Sequence, residues 1–289
     1  MIKENKYFKF DKNTFIKIDG EDSYKFIQGL ITNDIYKLNE ESIYTCLLSP
    51  QGKFLCDFFI SSYDKCLLLE SDSNNQEFIL NKLDIFRLRS KVSLNKYNKF
   101  KSIVINEKYL EKLSKISEEI DFIYFKDPRK KFPIIKIYAD SKNLDQILKQ
   151  LNLTSLSYEE YDNIRLEKSI PDFTIDIEAG KSLLLEIGFD KLDGIDWEKG
   201  CYMGQELTAR TKYRGNLKKK IFGFLVSGKV KNKNIFFENK EIGFLTSYNS
   251  NYAIGIVKIN ETNFCINSKA FMNCDGAKLI PFIPEWMKD

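Results

Sequence analysis

The sequence predicts an α+β or α/β region followed by a small all-β domain, and three observations carry that reading. Up to about residue 152, apolar runs of strand character alternate with segments whose apolar residues recur at helical spacing. From about residue 218, short strand-like runs follow one another closely with no convincing helix between them, the pattern of a small barrel or sandwich. The third is scale. With 289 residues, 43% of them hydrophobic and 14% aromatic, the chain suffices for one large or two to three small cored domains.

Residues 19–30 place Phe26, Ile27 and Leu30 at helical spacing and meet a stop at Gly29, so a short helix is expected there. Strands follow at 43–48, 54–61 and 66–70, the first two joined by the turn Ser49-Pro50-Gln51-Gly52. Ile79, Leu83 and Phe86 mark a helix, and Leu110, Leu113, Ile116 and Ile120 another, with a strand at 101–105 between them. Strands at 122–125 and 134–139 precede Leu144, Ile147, Leu148 and Leu151, an i, i+3, i+4, i+7 stripe. The run from Tyr158 is helix-like until Ile170-Pro171 stops it. Beyond a boundary placed near Gly215, strands are expected at 221–226, 234–237, 242–247, 252–259 and 277–283.

The sequence contains no histidine, which excludes a Ser-His-Asp triad, a Cys-His pair and a His-ligated zinc or haem. Chemistry must fall to carboxylates, cysteine, lysine, tyrosine or a bound cofactor. Net charge is +4, and of 45 basic residues only six are arginine, so the charge does not make a nucleic-acid footprint. The six cysteines form no C-x-x-C pair, and Cys46, Cys56 and Cys66 lie in apolar strand-like runs, as expected of reduced thiols in a cytoplasmic protein. The opening MIKENKYFKF has no apolar signal core, and no run approaches about 18 apolar residues, so neither secretion nor a membrane span is expected.

Three places can carry chemistry. In Lys199-Gly200-Cys201-Tyr202-Met203-Gly204-Gln205-Glu206, two glycines bracket a cysteine in a tight loop ahead of a helix, where peptide N–H groups and the nearby Lys199 favour a thiolate; a buried, inert thiol is the alternative. Glu206 and Arg210 share a face of that helix, as an ion pair would. Asp57 stands among large apolar residues of a strand, where a carboxylate is costly unless partnered or used, although an edge-strand Asp can face water. Arg165-Leu166-Glu167 puts a guanidinium and a carboxylate close together, and a glutamate can accept two parallel N–H bonds from an amino-pyrimidinone edge; a solvated helix face is the default.

Together these segments resemble the YgfZ/GcvT family of folate-binding proteins, specifically its YgfZ branch. Lys199 to Glu206 matches the hallmark K-G-C-Y-x-G-Q-E. Phe26-Ile27-Gln28-Gly29 with Thr32-Asn33-Asp34 resembles F-x-Q-G…T-N-D, and Ser49-Pro50-Gln51-Gly52-Lys53 the P-Q-G-[RK] turn. Leu88-Arg89-Ser90-Lys91-Val92 and Arg165-Leu166-Glu167 also have counterparts, so the resemblance runs the length of the chain. Leu207 to Thr211 is similar to the subgroup containing the mitochondrial iron-sulfur assembly relative.

The resemblance implies an α+β, GcvT-like ring: a folate-binding region of two subdomains over 1–215 and a C-terminal antiparallel β-barrel over 216–289. It implies tetrahydrofolate or a one-carbon derivative as cofactor; with a single cysteine in the motif, no resident metal is expected. Cys201 and Asp57 are the expected reactive residues, and Glu167, Arg165, Asp57, Glu206 and Arg210 the expected folate contacts, with Glu167 on the pterin. Cys56 and Asp57 stand where the aminomethyltransferase branch has adjacent aspartates, so only one acid remains. The function expected is therefore support of iron-sulfur cluster assembly or repair, with an indirect effect on tRNA modification. The alternative is a tetrahydrofolate-dependent aminomethyltransferase of the glycine cleavage type, and a third reading is an RNA-binding or RNA-modifying protein. Expected partners are iron-sulfur client enzymes or cluster carriers and reduced folate, with no direct nucleic acid, no membrane and a monomeric state.

Overall fold

The computed structural model describes residues 2–39, 42–129, 131–215 and 217–288. In chain order the elements are β1 (Lys6–Phe10), β2 (Asn13–Asp19), α1 (Ser23–Gln28), β3 (Ile43–Leu48), β4 (Phe54–Tyr63), β5 (Cys66–Asp72), α2 (Gln76–Arg87), β6 (Ser93–Lys96) and β7 (Lys101–Asn106). There follow α3 (Leu110–Ile116), β8 (Ile123–Lys126), β9 (Ile134–Ala139), α4 (Ser141–Leu151), β10 (Thr154–Ser155), α5 (Tyr158–Glu167), α6 (Phe173–Asp176) and α7 (Gln205–Arg214). The C-terminal part holds β11 (Lys219–Gly228), β12 (Asn234–Phe237), β13 (Lys240–Tyr248), β14 (Tyr252–Lys258), α8 (Ile259–Ser268), β15 (Met272–Cys274) and β16 (Ala277–Phe282).

The chain forms two compact units that interleave in sequence, one of Met1–Leu47, Cys56–Tyr161 and Asp193–Met203, the other of Leu48–Leu55, Asp162–Leu192 and Gly204–Asp289. In the first, the sheet β10-β1-β7-β9-β8 packs one face on α3 and α4. Ile103, Ile105, Ile135 and Ile137 alternate along its central strands and meet Leu113, Leu144, Ile147 and Leu151, each burial being worth roughly 1.5–3 kcal/mol. The stripe read at 144–151 is thus the buried face of α4, which Asp140 caps by accepting the Asn143 amide at 2.9 Å. The sheet β3-β4-β5-β2-β6 belongs chiefly to the same unit.

A polar cluster is buried among these strands. Glu70, 1% exposed, accepts Asn13 Nδ2 at 2.6 Å and Tyr138 OH at 2.6 Å and pairs with Lys136 Nζ at 2.7 Å. The Lys136 ammonium lies 4.1 Å from the Phe59 ring centroid and 4.8 Å from that of Phe10. Pairing and cation–π contact together offset the loss of hydration that a lone buried charge would suffer.

The second unit contains a closed antiparallel barrel, β11-β14-β13-β12-β15-β16, filled by Phe222, Phe224, Ile235, Leu245, Val257 and Leu279. The expected strands are all present, but α8 and β15 were not expected. The α8 sequence INETNFCINS is rich in Asn, Ser and Thr, weak helix formers, and holds its place by burying Thr262 and Cys265. Here tertiary packing overrides a weak local preference. The strands β1, β2 and β6 also went unread, and α3 ends at Ile116, short of Ile120.

Candidate functional site

The site is built around the loop that carries Cys201. Lys199, 7% exposed, points inward and donates from Nζ to the carbonyls of Gln28 at 2.8 Å, Ile31 at 2.7 Å and Asn33 at 2.8 Å. An ammonium has three N–H donors, so all are consumed. Burial pulls its pKa down to about 8, against the Asp34 and Asp196 carboxylates, which act the other way. The Tyr202 ring closes over it at 5.1 Å. Its donors are thus spent on the backbone and none is directed at Cys201.

The F-I-Q-G and T-N-D segments are the frame of this loop. Gln28 Nε2 donates to Asp34 at 2.9 Å, and Ile35 N donates to Gln28 Oε1 at 2.9 Å, which fixes the turn whose carbonyls face Lys199. Thr32 Oγ1 donates to Gly194 O at 2.7 Å, Asn33 Nδ2 to Asp193 O at 2.8 Å, and Met203 N to Gly29 O at 3.0 Å. Asp196 accepts the amides of Glu198 at 2.7 Å and Lys199 at 3.1 Å and pairs with Lys37 at 2.7 Å. Burial opposes its charge, yet Lys37 and these amides hold its carboxyl below the usual range.

On this braced loop Cys201 is exposed, whereas Cys46, Cys56, Cys66, Cys265 and Cys274 are buried; all six are free thiols. Burial pushes the five upward in pKa, away from the reactive thiolate. The helix that follows, α7, begins at Gln205, four residues beyond Cys201. Gly204 precedes it at φ +79°, and a Cβ there would stand 2.5 Å from Ser49 O; Gly52, at φ +78°, would bring one within 2.7 Å of Gly204 O. The glycines of the P-Q-G-K turn and of the cysteine motif are therefore each other's close contact.

Asp57, half-buried on β4, accepts the Tyr44 hydroxyl at 2.7 Å. Burial and then the Asp57 charge push the Tyr44 phenol well above its ordinary pKa, so it stays a donor. Arg129, which sequence reasoning missed, sits 5.3 Å from the Tyr44 ring and 5.2 Å from that of Phe59, locked to Asp127 by Nε at 2.9 Å and Nη2 at 2.6 Å. No motif marks it: its partner lies two residues away, and beside the neighbouring Phe132 ring at 5.0 Å the other two rings come from β3 and β4.

Arg165 is buried and donates to Asp162 at 2.8 Å, Asp176 at 2.7 Å and Ile170 O at 3.0 Å. Glu167 instead faces solvent, its side chain 43% exposed and paired with Lys168 at 2.8 Å. That pair holds its carboxyl below the ordinary range. Glu206 and Arg210 are both exposed on α7, and no ion pair joins them among the described residues.

Residues 218–289 match the CAF17 C-terminal β-barrel domain. The chain is 29% identical over 229 residues to the mitochondrial iron-sulfur cluster assembly factor IBA57 homolog of Neurospora crassa, an alignment covering 74% of this chain and 52% of that protein. It is 27% identical over 252 residues to the Dictyostelium discoideum homolog, covering 75% and 61%, and 25% identical over 233 residues to the Homo sapiens IBA57, covering 74% and 65%. The alignments thus span about half to two-thirds of these relatives' own length. The crystal structure of the glycine cleavage system aminomethyltransferase T from Bartonella henselae superposes with a TM-score of 0.77 over 98% of this chain and 86% of that one, at 13% identity. The fold is GcvT-like, and the relatives are iron-sulfur assembly factors of the CAF17/IBA57 kind.

Proposed function

We propose that this protein is a reduced-folate-binding accessory factor that supports assembly or repair of iron-sulfur clusters in client enzymes, with Cys201 as the group that acts on the cluster or client. The observation that carries the proposal is one exposed thiol among six, on a loop fastened through Lys199 and Met203. The names of the relatives point the same way. Among the described residues no three Cys, Asp or Glu side chains gather to hold a metal ion, so a cluster at Cys201 takes its other ligands from the carrier or client. The intact K-G-C-Y-x-G-Q-E motif supports the YgfZ branch, the free thiols a reducing, cytoplasmic compartment, and the scarcity of arginine an indirect effect on tRNA modification.

The residues assigned to folate fit it unequally. Asp57, half-buried beside aromatic rings, suits a one-carbon-bearing amine, and Glu167 suits a pterin edge that displaces Lys168. Arg165 spends Nε and Nη1 on Asp162, Ile170 and Asp176 and so braces α5 and α6, with donor capacity left on Nη2. When bound, reduced folate would supply one-carbon or redox chemistry.

Cells with wild type, Cys201→Ala or no protein, compared for activity of cluster-containing enzymes, test the proposal. Cys201→Ala should behave as the null while binding tetrahydrofolate as wild type does, and full rescue by Cys201→Ala overturns it. The held carboxylate of Asp57 favours one rival, an aminomethyltransferase. Turnover of an aminomethylated carrier with tetrahydrofolate, abolished by Asp57→Asn, would establish that enzyme instead.

A further inference from the structure

The first unit also contains an open groove of about 710 Å³ where α1 meets the C-terminal end of α2. Its apolar lining is Phe26, Leu30, Phe86 and Leu88, and its basic lining is Lys25 and Arg89. Leu88 is unusual on two counts. It is 88% exposed, and its backbone is held at φ 46°, ψ −111°, a conformation costly for a bulky residue. A tight frame imposes it: Ser90 N donates to Arg87 O at 2.8 Å, Lys91 N to Asp22 Oδ2 at 2.8 Å, and Gly20 approaches Lys91 O so closely that a Cβ would fall 2.1 Å away. Strain retained by a rigid surround, presenting a large apolar side chain to water, is what a clamp for a binding partner requires.

Charge specifies the occupant. Lys25 and Arg89 are exposed, and no carboxylate pairs with either among the described residues. The lining's own acid, Asp22, accepts the Lys91 amide on Oδ2, and the two bases outnumber it. Gly29, whose carbonyl receives the Met203 amide of the cysteine loop, lines the same groove. An occupant of the groove therefore lies along the α1 turn that anchors that loop.

We propose that this groove docks an acidic protein segment bearing bulky apolar side chains, by which a cluster carrier or client is brought to Cys201. The proposal deepens the iron-sulfur reading and rests on it for the partner's identity; the groove's chemistry stands apart from it.

The test uses the full chain and a fluorescein-labelled 16-residue amphipathic peptide of Glu and Leu, with a Lys-for-Glu version as control, followed by anisotropy. The acidic peptide should bind in a salt-sensitive manner, at least about tenfold more weakly to Lys25→Glu/Arg89→Glu and about fivefold more weakly to Leu88→Gly. Leu88→Gly suits the backbone, so its melting temperature should not fall, which separates lost docking from lost folding. Cys201→Ala should bind as wild type does. Equal affinity for acidic and basic peptides, or indifference to the charge reversal, overturns the proposal. So does a concentration-dependent dimer abolished by Leu88→Gly, which would assign the face to a second copy. In cells, failed rescue by Cys201→Ala alongside full rescue by both groove variants keeps the iron-sulfur reading and defeats the groove. Peptide binding lost in the groove variants, with cluster enzymes indifferent to Cys201→Ala, does the reverse.

Discussion

Replacing Lys199 by methionine keeps the length and apolar stem of the side chain and removes its three N–H donors. The carbonyls of Gln28, Ile31 and Asn33 each lose a partner held at 2.7–2.8 Å. Methionine also avoids the burial of an ammonium, a cost visible in the pKa of about 8, so the net loss is set at about 1 kcal/mol per carbonyl, about 3 kcal/mol in all. For a domain of this size that corresponds to a melting temperature lower by roughly 6–12 °C. The damage should be local as well as global. Met203 N, bonded to Gly29 O beside the cage, should exchange its amide hydrogen at least about tenfold faster while the barrel amides change no more than global stability requires. Thermal denaturation with amide exchange by mass spectrometry reads both. A loss below about 1 kcal/mol with Met203 still protected would show that the loop is held by something other than the lysine cage.

Between pH about 8 and the ordinary lysine value of 10.5, the folded chain holds one proton fewer at Lys199 than the unfolded chain, so this residue makes stability rise with pH there and lose that gain as pH falls back through 8. The stability gap between wild type and Lys199→Met should widen from pH 8 to 10, and a narrowing gap contradicts the direction. Gly204→Ala meets both a positive φ and the Ser49 carbonyl, and should cost on the order of 2–4 kcal/mol in denaturant unfolding, where a change under about 0.5 kcal/mol would mean the backbone relaxes freely. Iodoacetamide at neutral pH, followed by peptide mass spectrometry, should label Cys201 first, because the other five thiols are buried and shifted upward; earlier labelling of Cys46 or Cys56 would contradict the burial assigned to them.

The helical stripe of α4 and the strands of the barrel were legible because periodicity reports which face meets the core, and that signal is local. The cage around Lys199 was not, because its acceptors are backbone carbonyls, identical in every residue type, brought together across 166 to 171 positions. Sequence placed a lysine two residues from a cysteine and suggested electrostatic activation. What it could not show is that the lysine's three donors go to the backbone. Arg129 escaped for the related reason that its aromatic neighbours Tyr44 and Phe59 come from strands far earlier in the chain.

The matching motif segments divide by task once their contacts are known. Gln28, Thr32, Asn33, Lys199 and Tyr202 are spent on holding a loop, and Gly52 and Gly204 on letting two backbones touch. None of these side chains has an obvious reaction to perform, and each is costly to replace. Cys201 is the reverse: its removal leaves each of these braces of the loop intact, yet it presents the one exposed thiol. A structure that commits a buried ammonium to positioning an exposed cysteine gains nothing in stability from the cysteine itself. The return must come from chemistry at its sulfur, so rescue by Cys201→Ala is the observation on which the functional reading turns.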